Sequence, residues 1–248
     1  MAYTTINKSS LQMNTKLYTG NSSQGRSITG IGFLPSMVWA KCRNAANNNH
    51  ILSDSVRGTN KNLQPNTGSA QIANNSQGWV SAFGSDGFTA YGGGSGYNEI
   101  NGSGNKYVTY NWKGNGSGSS NTAGSINSTV SVNTTSGFSI VKWQGTDANA
   151  TVGHGLSKAP SMVLYKTLGV AESWAIYNKD LGANKSTQLN SNGGSTTSTT
   201  IFQNTHPSNT LLYVGANSAN KNTPMIAYCF SNITGFSHHG TYKGSASA

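Results

Sequence analysis

The chain repeats itself over a span of about half its length, and the repeat limits what it can fold into. Pro35-Ser36-Met37-Val38 returns as Pro160-Ser161-Met162-Val163, an offset of 125 (160 − 35), and each copy is followed at the same distance by a lysine, Lys41 and Lys166. Gly58-Thr59-Asn60-Lys61 with Gln64 and Asn66 is matched by Gly182-Ala183-Asn184-Lys185 with Gln188 and Asn190, and Val108-Thr109-Tyr110 by Ile226-Ala227-Tyr228. Register held over so long a stretch indicates duplication of a whole sheet-building unit, not a solenoid of short repeats.

The repeated segments are strand-like. Met37–Lys41 and Met162–Lys166 are short apolar runs placed just after a proline, and Lys106–Trp112 is rich in aromatic and β-branched residues. Phe138-Ser139-Ile140-Val141-Lys142-Trp143 largely alternates. Asp86-Gly87, Gly92-Gly93-Gly94 and Asn192-Gly193-Gly194 are turn signals, and no long stretch has helical period. The expected fold class is all-β, with two tandem β-sandwich units of jelly-roll or concanavalin-like type. Residues 1–113 form the first unit with an N-terminal arm, 114–136 a Gly/Ser/Asn-rich linker or edge strand, and 137–248 the second unit. Ile126, Val130 and Val132, at even spacing, are what favour a strand in the middle segment. The opening strand Lys16-Leu17-Tyr18-Thr19-Gly20 recurs as Val141-Lys142-Trp143-Gln144-Gly145 and again as Gly240-Thr241-Tyr242-Lys243-Gly244. The third copy either completes the sheet of the second unit or pairs with the sheet edge of a neighbouring subunit.

Charged residues make up 9% of the chain, so its polar surface must be built from Asn, Ser, Thr and Gly. Sixteen basic against six acidic residues give +10, which favours anionic partners, but the cations are scattered and no specific nucleic-acid binding is expected. Cys42 and Cys229 sit at non-equivalent places in the two units, so they read as two buried thiols; one bridge between the units stays open as an alternative. No signal peptide opens the sequence and no run suits a bilayer, so no membrane insertion is expected.

The search for catalysis is negative. The acids Asp54, Asp86, Glu99, Asp147, Glu172 and Asp180 form no matched pair, and neither a G-x-S-x-G elbow nor a phosphate loop occurs. His238-His239 would point to opposite faces of a strand, His154 between two glycines reads as a turn residue, and no metal set is spaced for binding. The expectation is no enzyme, no cofactor and no metal. Trp39, Trp112, Trp143 and Trp174 lie in strand-like runs and read as core. Tyr91 and Tyr97 flank a glycine-rich loop with Asn98 and Glu99 beside them, the mixture of aromatic platform and hydrogen-bonding groups that a glycan site uses.

The chain resembles structural proteins of marine bacteriophages. The likeness lies in Met1-Ala2-Tyr3-Thr4-Thr5-Ile6-Asn7-Lys8, Phe33-Leu34-Pro35-Ser36-Met37-Val38-Trp39-Ala40-Lys41 and His50-Ile51-Leu52-Ser53-Asp54-Ser55-Val56-Arg57-Gly58. In the second unit it lies in Gly153-His154-Gly155-Leu156, Ser173-Trp174-Ala175-Ile176-Tyr177 and Ile226-Ala227-Tyr228-Cys229-Phe230. Ser36 stands where such proteins often carry an acid. The resemblance implies a non-enzymatic virion protein of cyanophage-like particles, made in the host cytoplasm. Its place would be a tail fibre or receptor-binding appendage, with a capsid decoration protein as the alternative. The implied partners are other virion proteins, further copies of the same chain (a trimer first) and a host cell-surface glycan. A carbohydrate-active or carbohydrate-binding β-sandwich is the alternative of another class.

Overall fold

The computed structural model describes residues 4–74, 76–93 and 98–244. The first half of the chain forms β1 (Met13–Thr19), β2 (Gln24–Ile28), β3 (Met37–Cys42), β4 (Ile51–Asp54), β5 (Lys61–Asn62), β6 (Ile72–Ala73), β7 (Gly78–Gly84), β8 (Gly87–Gly92) and β9 (Lys106–Trp112). The rest forms β10 (Ser119–Asn121), β11 (Ser128–Asn133), β12 (Phe138–Gln144), β13 (Ala150–Gly153), β14 (Met162–Thr167), β15 (Ala175–Asn178), β16 (Lys185–Gln188), β17 (Thr196–Thr197), β18 (Leu211–Val214) and β19 (Pro224–Phe230). Two 3-10 turns, Ser9–Leu11 and Lys179–Leu181, are the helical elements among the described residues, so the fold is all-β.

Strand order and register correspond between the two sets of matched segments. One sheet runs β1-β9-β3-β4, and the eight-stranded sheet contains β12-β19-β14-β15 in the corresponding order. Met13 and Met37 flank Trp112 in the first sheet as Phe138 and Met162 flank Phe230 in the second. The residue after each proline makes the same bond: Ser36 N–H donates to Trp112 C=O and Ser161 N–H to Phe230 C=O, both at 2.8 Å. Gly20 and Gly145 close the two opening strands for one reason. A Cβ on Gly20 would lie 2.0 Å from the Gly102 oxygen, and one on Gly145 1.8 Å from the Lys221 oxygen; a backbone passes too close for any side chain.

Two smaller sheets, β2-β8-β7 and β13-β18, complete four layers. The hairpin expected at Asp86-Gly87 forms with its turn one residue earlier: Gly84 pairs with Gly87 across Ser85-Asp86. The Asp86 carboxylate accepts from the Gly30 and Gly32 amides at 2.9 and 2.6 Å, and those bonds hold its pKa below the ordinary value.

Three cores lie between the layers. Ile28, Phe33, Val38, Ile51, Val80 and Phe88 fill the space between β2-β8-β7 and the first large sheet. Val141, Trp143, Val163, Tyr165, Phe202 and Leu212 do the same between the eight-stranded sheet and β13-β18. The third core joins the two large sheets face to face, with Met37, Leu52 and Leu63 from one side against Phe138, Ile140, Leu164, Trp174, Ile226 and Tyr228 from the other. Strands β12, β14 and β19 are therefore buried on both faces.

The segment 114–136 forms no flexible tether. Strands β10 and β11 extend the eight-stranded sheet from β12 outward, which is the edge-strand alternative, carried one strand further. Of the alternatives for the third copy of the opening strand, pairing within the chain is not seen: residues 238–244 form no strand and join no sheet. The expectation that it completes the sheet of the second unit is corrected here, because β11 already occupies the outer edge of β12. Cys42 and Cys229 are both buried and free, and burial pushes the Cys229 thiol up to about 12.

Candidate binding face

Of the four residues expected to form a glycan site, three are described, and each is engaged with different neighbours. Tyr91 stands on β8 and stacks on Trp79 of β7, with ring centroids 4.2 Å apart and planes within 14°. Tyr97 lies outside the described residues. Asn98 is spent inside its own loop: its amide donates to Gly93 C=O and its oxygen accepts from Asn101 N–H. Glu99 is 0% exposed, and its carboxylate accepts from Asn49 at 3.0 Å and Gln64 at 3.1 Å. A ligand in solvent cannot reach it, so Glu99 is corrected from a candidate contact to a buried link between loops.

The exposed chemistry lies elsewhere, on the face of β1-β9-β3 that looks toward the eight-stranded sheet. Side chains alternate along a strand, so Met13, Thr15 and Leu17 share this face with Val108, Tyr110, Trp112, Met37, Trp39 and Lys41. Cross-strand rows run Met13–Trp112–Met37, Thr15–Tyr110–Trp39 and Leu17–Val108–Lys41. The first row enters the shared core, where Trp112 packs 6.3 Å from Phe138 and 6.2 Å from Phe230. The other two rows extend beyond the covering sheet. Tyr110 is 39% and Leu17 60% exposed. Met13, Trp39, Lys41, His50, Val108, Tyr110 and Trp112 line a shallow hollow of about 330 Å³ there.

The second sheet shows what such a face is when covered. Each position on it has a counterpart given by the repeat: Tyr110 corresponds to Tyr228, Val108 to Ile226, Thr15 to Ile140 and Lys41 to Lys166. All four counterparts are 0% exposed. The two lysines even make the same bond. Lys41 Nζ donates to Asn48 C=O and Lys166 Nζ to Glu172 C=O, each at 2.6 Å, and Lys166 adds Gly68 C=O from the other half of the chain. Burial lowers the Lys166 pKa to about 8.

The hollow is preorganised. Trp39 Nε1–H donates to His50 Nδ1 at 3.0 Å. Burial, aided by the Lys41 charge, lowers the His50 pKa, so the ring is neutral at pH 7 and keeps its proton on Nε2. The result is an indole and a phenol side by side, rimmed by an ammonium and an imidazole N–H donor. Trp39 and Trp112 were expected to be core; each is half-buried, because the covering sheet stops partway across the face.

Four of the six acids are engaged by neighbouring groups. Asp54 is locked to Arg57, Glu99 to two amides and Asp86 to two backbone N–H groups, while Glu172 faces Lys221 at 3.8 Å. Among the described residues, no group of three or more His, Cys, Asp or Glu is placed to hold a metal. No described helix is long and apolar enough to cross a membrane.

The structure thus defines a four-layered all-β protein with an open aromatic sheet face. Residues 8–248 match a family described as a domain of unknown function, DUF7483, and the chain belongs to it. The matched stretch runs through both large sheets and the core between them. No curated protein and no solved structure matches.

Proposed function

We propose that the protein is a non-enzymatic surface component of a bacteriophage particle, a tail fibre or receptor-binding appendage, and that its open aromatic face binds host glycan. The virion setting rests on the resemblance of its repeat motifs to marine phage structural proteins. The glycan reading rests on one observation, the half-buried Trp39 beside the exposed Tyr110, with Lys41 and His50 at the rim. Pyranose rings present apolar C–H faces that stack on indole and phenol, while their hydroxyls need polar partners at the edge. Low surface charge, with Asn, Ser and Thr dominant, suits contact with hydrated polysaccharide at high salt, where screening weakens ion pairs.

The test is binding to immobilised cell-surface polysaccharides, neutral and acidic, by the full chain and by Trp39→Ala and Tyr110→Ala variants. Each substitution should weaken binding at least about tenfold, equivalent to about 1.4 kcal/mol. Absence of binding by the parent chain, or equal binding by the double variant, would refute this reading.

A further inference from the structure

We infer that residues 238–244 of one chain pair with the open edge of β1 in a second copy, joining copies by strand addition. Three observations carry this. First, β1 is a seven-residue strand at the end of its sheet. At its flanks Gln12 C=O accepts from Lys113 N–H and Gly20 N–H donates to Asn105 C=O. Ladder bonds to β9 therefore fall on even-numbered residues, and Met13, Thr15, Leu17 and Thr19 turn their backbone groups outward. The Thr15 N–H is met by the adjacent Asn14 side chain and the Thr19 C=O by Arg26. No strand among the described residues covers Leu17 between them. The edge contains no proline and no bulge, two of the devices that blunt one, and carries a single charged residue, Lys16.

Second, the corresponding edge in the repeat is occupied. Strand β12 stands where β1 stands, and β11 pairs with it along its length. This sheet geometry thus accepts one more strand at that side.

Third, residues 240–244 carry the sequence of an opening strand without its pairing. Tyr242, where Tyr18 and Trp143 are packed, is 93% exposed. Gly20 and Gly145 each face a backbone carbonyl, whereas nothing lies within 4 Å of Gly244. In this structure the segment is not paired with its own β1. His239 is held by Asn232 and lies 3.3 Å from Ser161, and Gly240 lies against Asp180, on the β14–β15 side of the molecule. A second copy supplies the edge instead. The occupant brings its own backbone donors and acceptors, which is how an edge gains specificity without a deep pocket.

The experiment uses the full chain. Light scattering after size separation should give a mass above that of one chain. Thr241→Pro, which removes a backbone N–H in an exposed segment, should reduce it to one. Tyr242→Cys in one tagged copy should form a disulfide with Leu17→Cys, or with its neighbours Thr15→Cys or Thr19→Cys, in a differently tagged copy. A monomeric parent chain, an assembly that survives Thr241→Pro, or disulfides confined to one chain would each overturn the inference. None of these readouts depends on glycan binding.

Discussion

Replacing Asp54 by Asn should destabilise both halves of the molecule at once. Asp54 ends β4, and its Oδ1 accepts from the Val56 and Arg57 amides at 3.1 and 2.8 Å. Its Oδ2 accepts from Arg57 Nε at 2.5 Å and from the hydroxyl of Tyr228, a residue of the other large sheet, at 2.6 Å. The Arg57 and Asp54 side chains are 1% and 0% exposed. Burial alone would lower the Arg57 pKa; the Asp54 charge outweighs it, and the net direction is upward. Asn keeps the size but removes the charge, leaving a guanidinium in the interior with a donor facing it. Breaking one partner of a buried pair costs about 3–5 kcal/mol, which in a domain of this length lowers Tm by about 6–20 °C. Calorimetry and urea unfolding followed by tryptophan fluorescence measure it. Tyr228→Phe, which removes a hydrogen bond to a charged group, should cost about 1.5–3 kcal/mol, and Asp54→Asn with Arg57→Met should recover part of the single-variant loss. Because the shared core joins the two large sheets, one transition should move as a whole. A loss below about 1 kcal/mol, or two transitions of which one shifts, would refute this account of the junction.

Acid should act through His154. Burial lowers its pKa to about 4, and its Nδ1 accepts from the Leu156 amide while Nε2 faces Ser208 C=O. The unfolded chain binds that proton more readily, so stability should fall by up to about 3 kcal/mol from pH 6.5 to pH 4, and His154→Asn should flatten that limb in urea titrations. Lys166 has the same sign at higher pH: its folded pKa lies below the unfolded value, so stability should rise from about pH 8 to 9.5 in the parent chain and not in Lys166→Met. Gly145→Ala should lower stability by more than about 3 kcal/mol, whereas Gly244→Ala, with open space around it, should change melting by less than about 0.5 kcal/mol.

Strand positions were legible in the sequence because their signals are local. The prolines before β3 and β14, the aromatic β9 and the Asp86-Gly87 turn each act within a few residues. The stacking of the two large sheets is a long-range outcome, yet it left a trace. Phe138, Ile140, Val141 and Trp143 are apolar on both parities of β12, whereas β1 interleaves Met13 and Leu17 with Asn14, Thr15 and Lys16. A strand apolar on both faces needs two neighbours. Glu99 misled because its partners come from elsewhere: Asn49 and Gln64 lie 50 and 35 residues away and have no pattern that announces them. Trp39 and Trp112 sit in runs indistinguishable from Trp143 and Trp174. What separates them is how far the opposing sheet extends, and no single-strand signal encodes that reach.

The matched positions Tyr110 and Tyr228 carry a consequence for how this chain can change over time. Any substitution at Tyr228 must satisfy an ion pair, a neighbouring indole and a fixed volume together, so that half is held nearly constant by its own interior. Tyr110, at the matched position, is 39% exposed and has Trp112 as its neighbouring indole at 6.5 Å, with no volume closed around it. One matched position is fixed by everything packed on it, and the other lies at the surface, where its side chain can change without disturbing an interior.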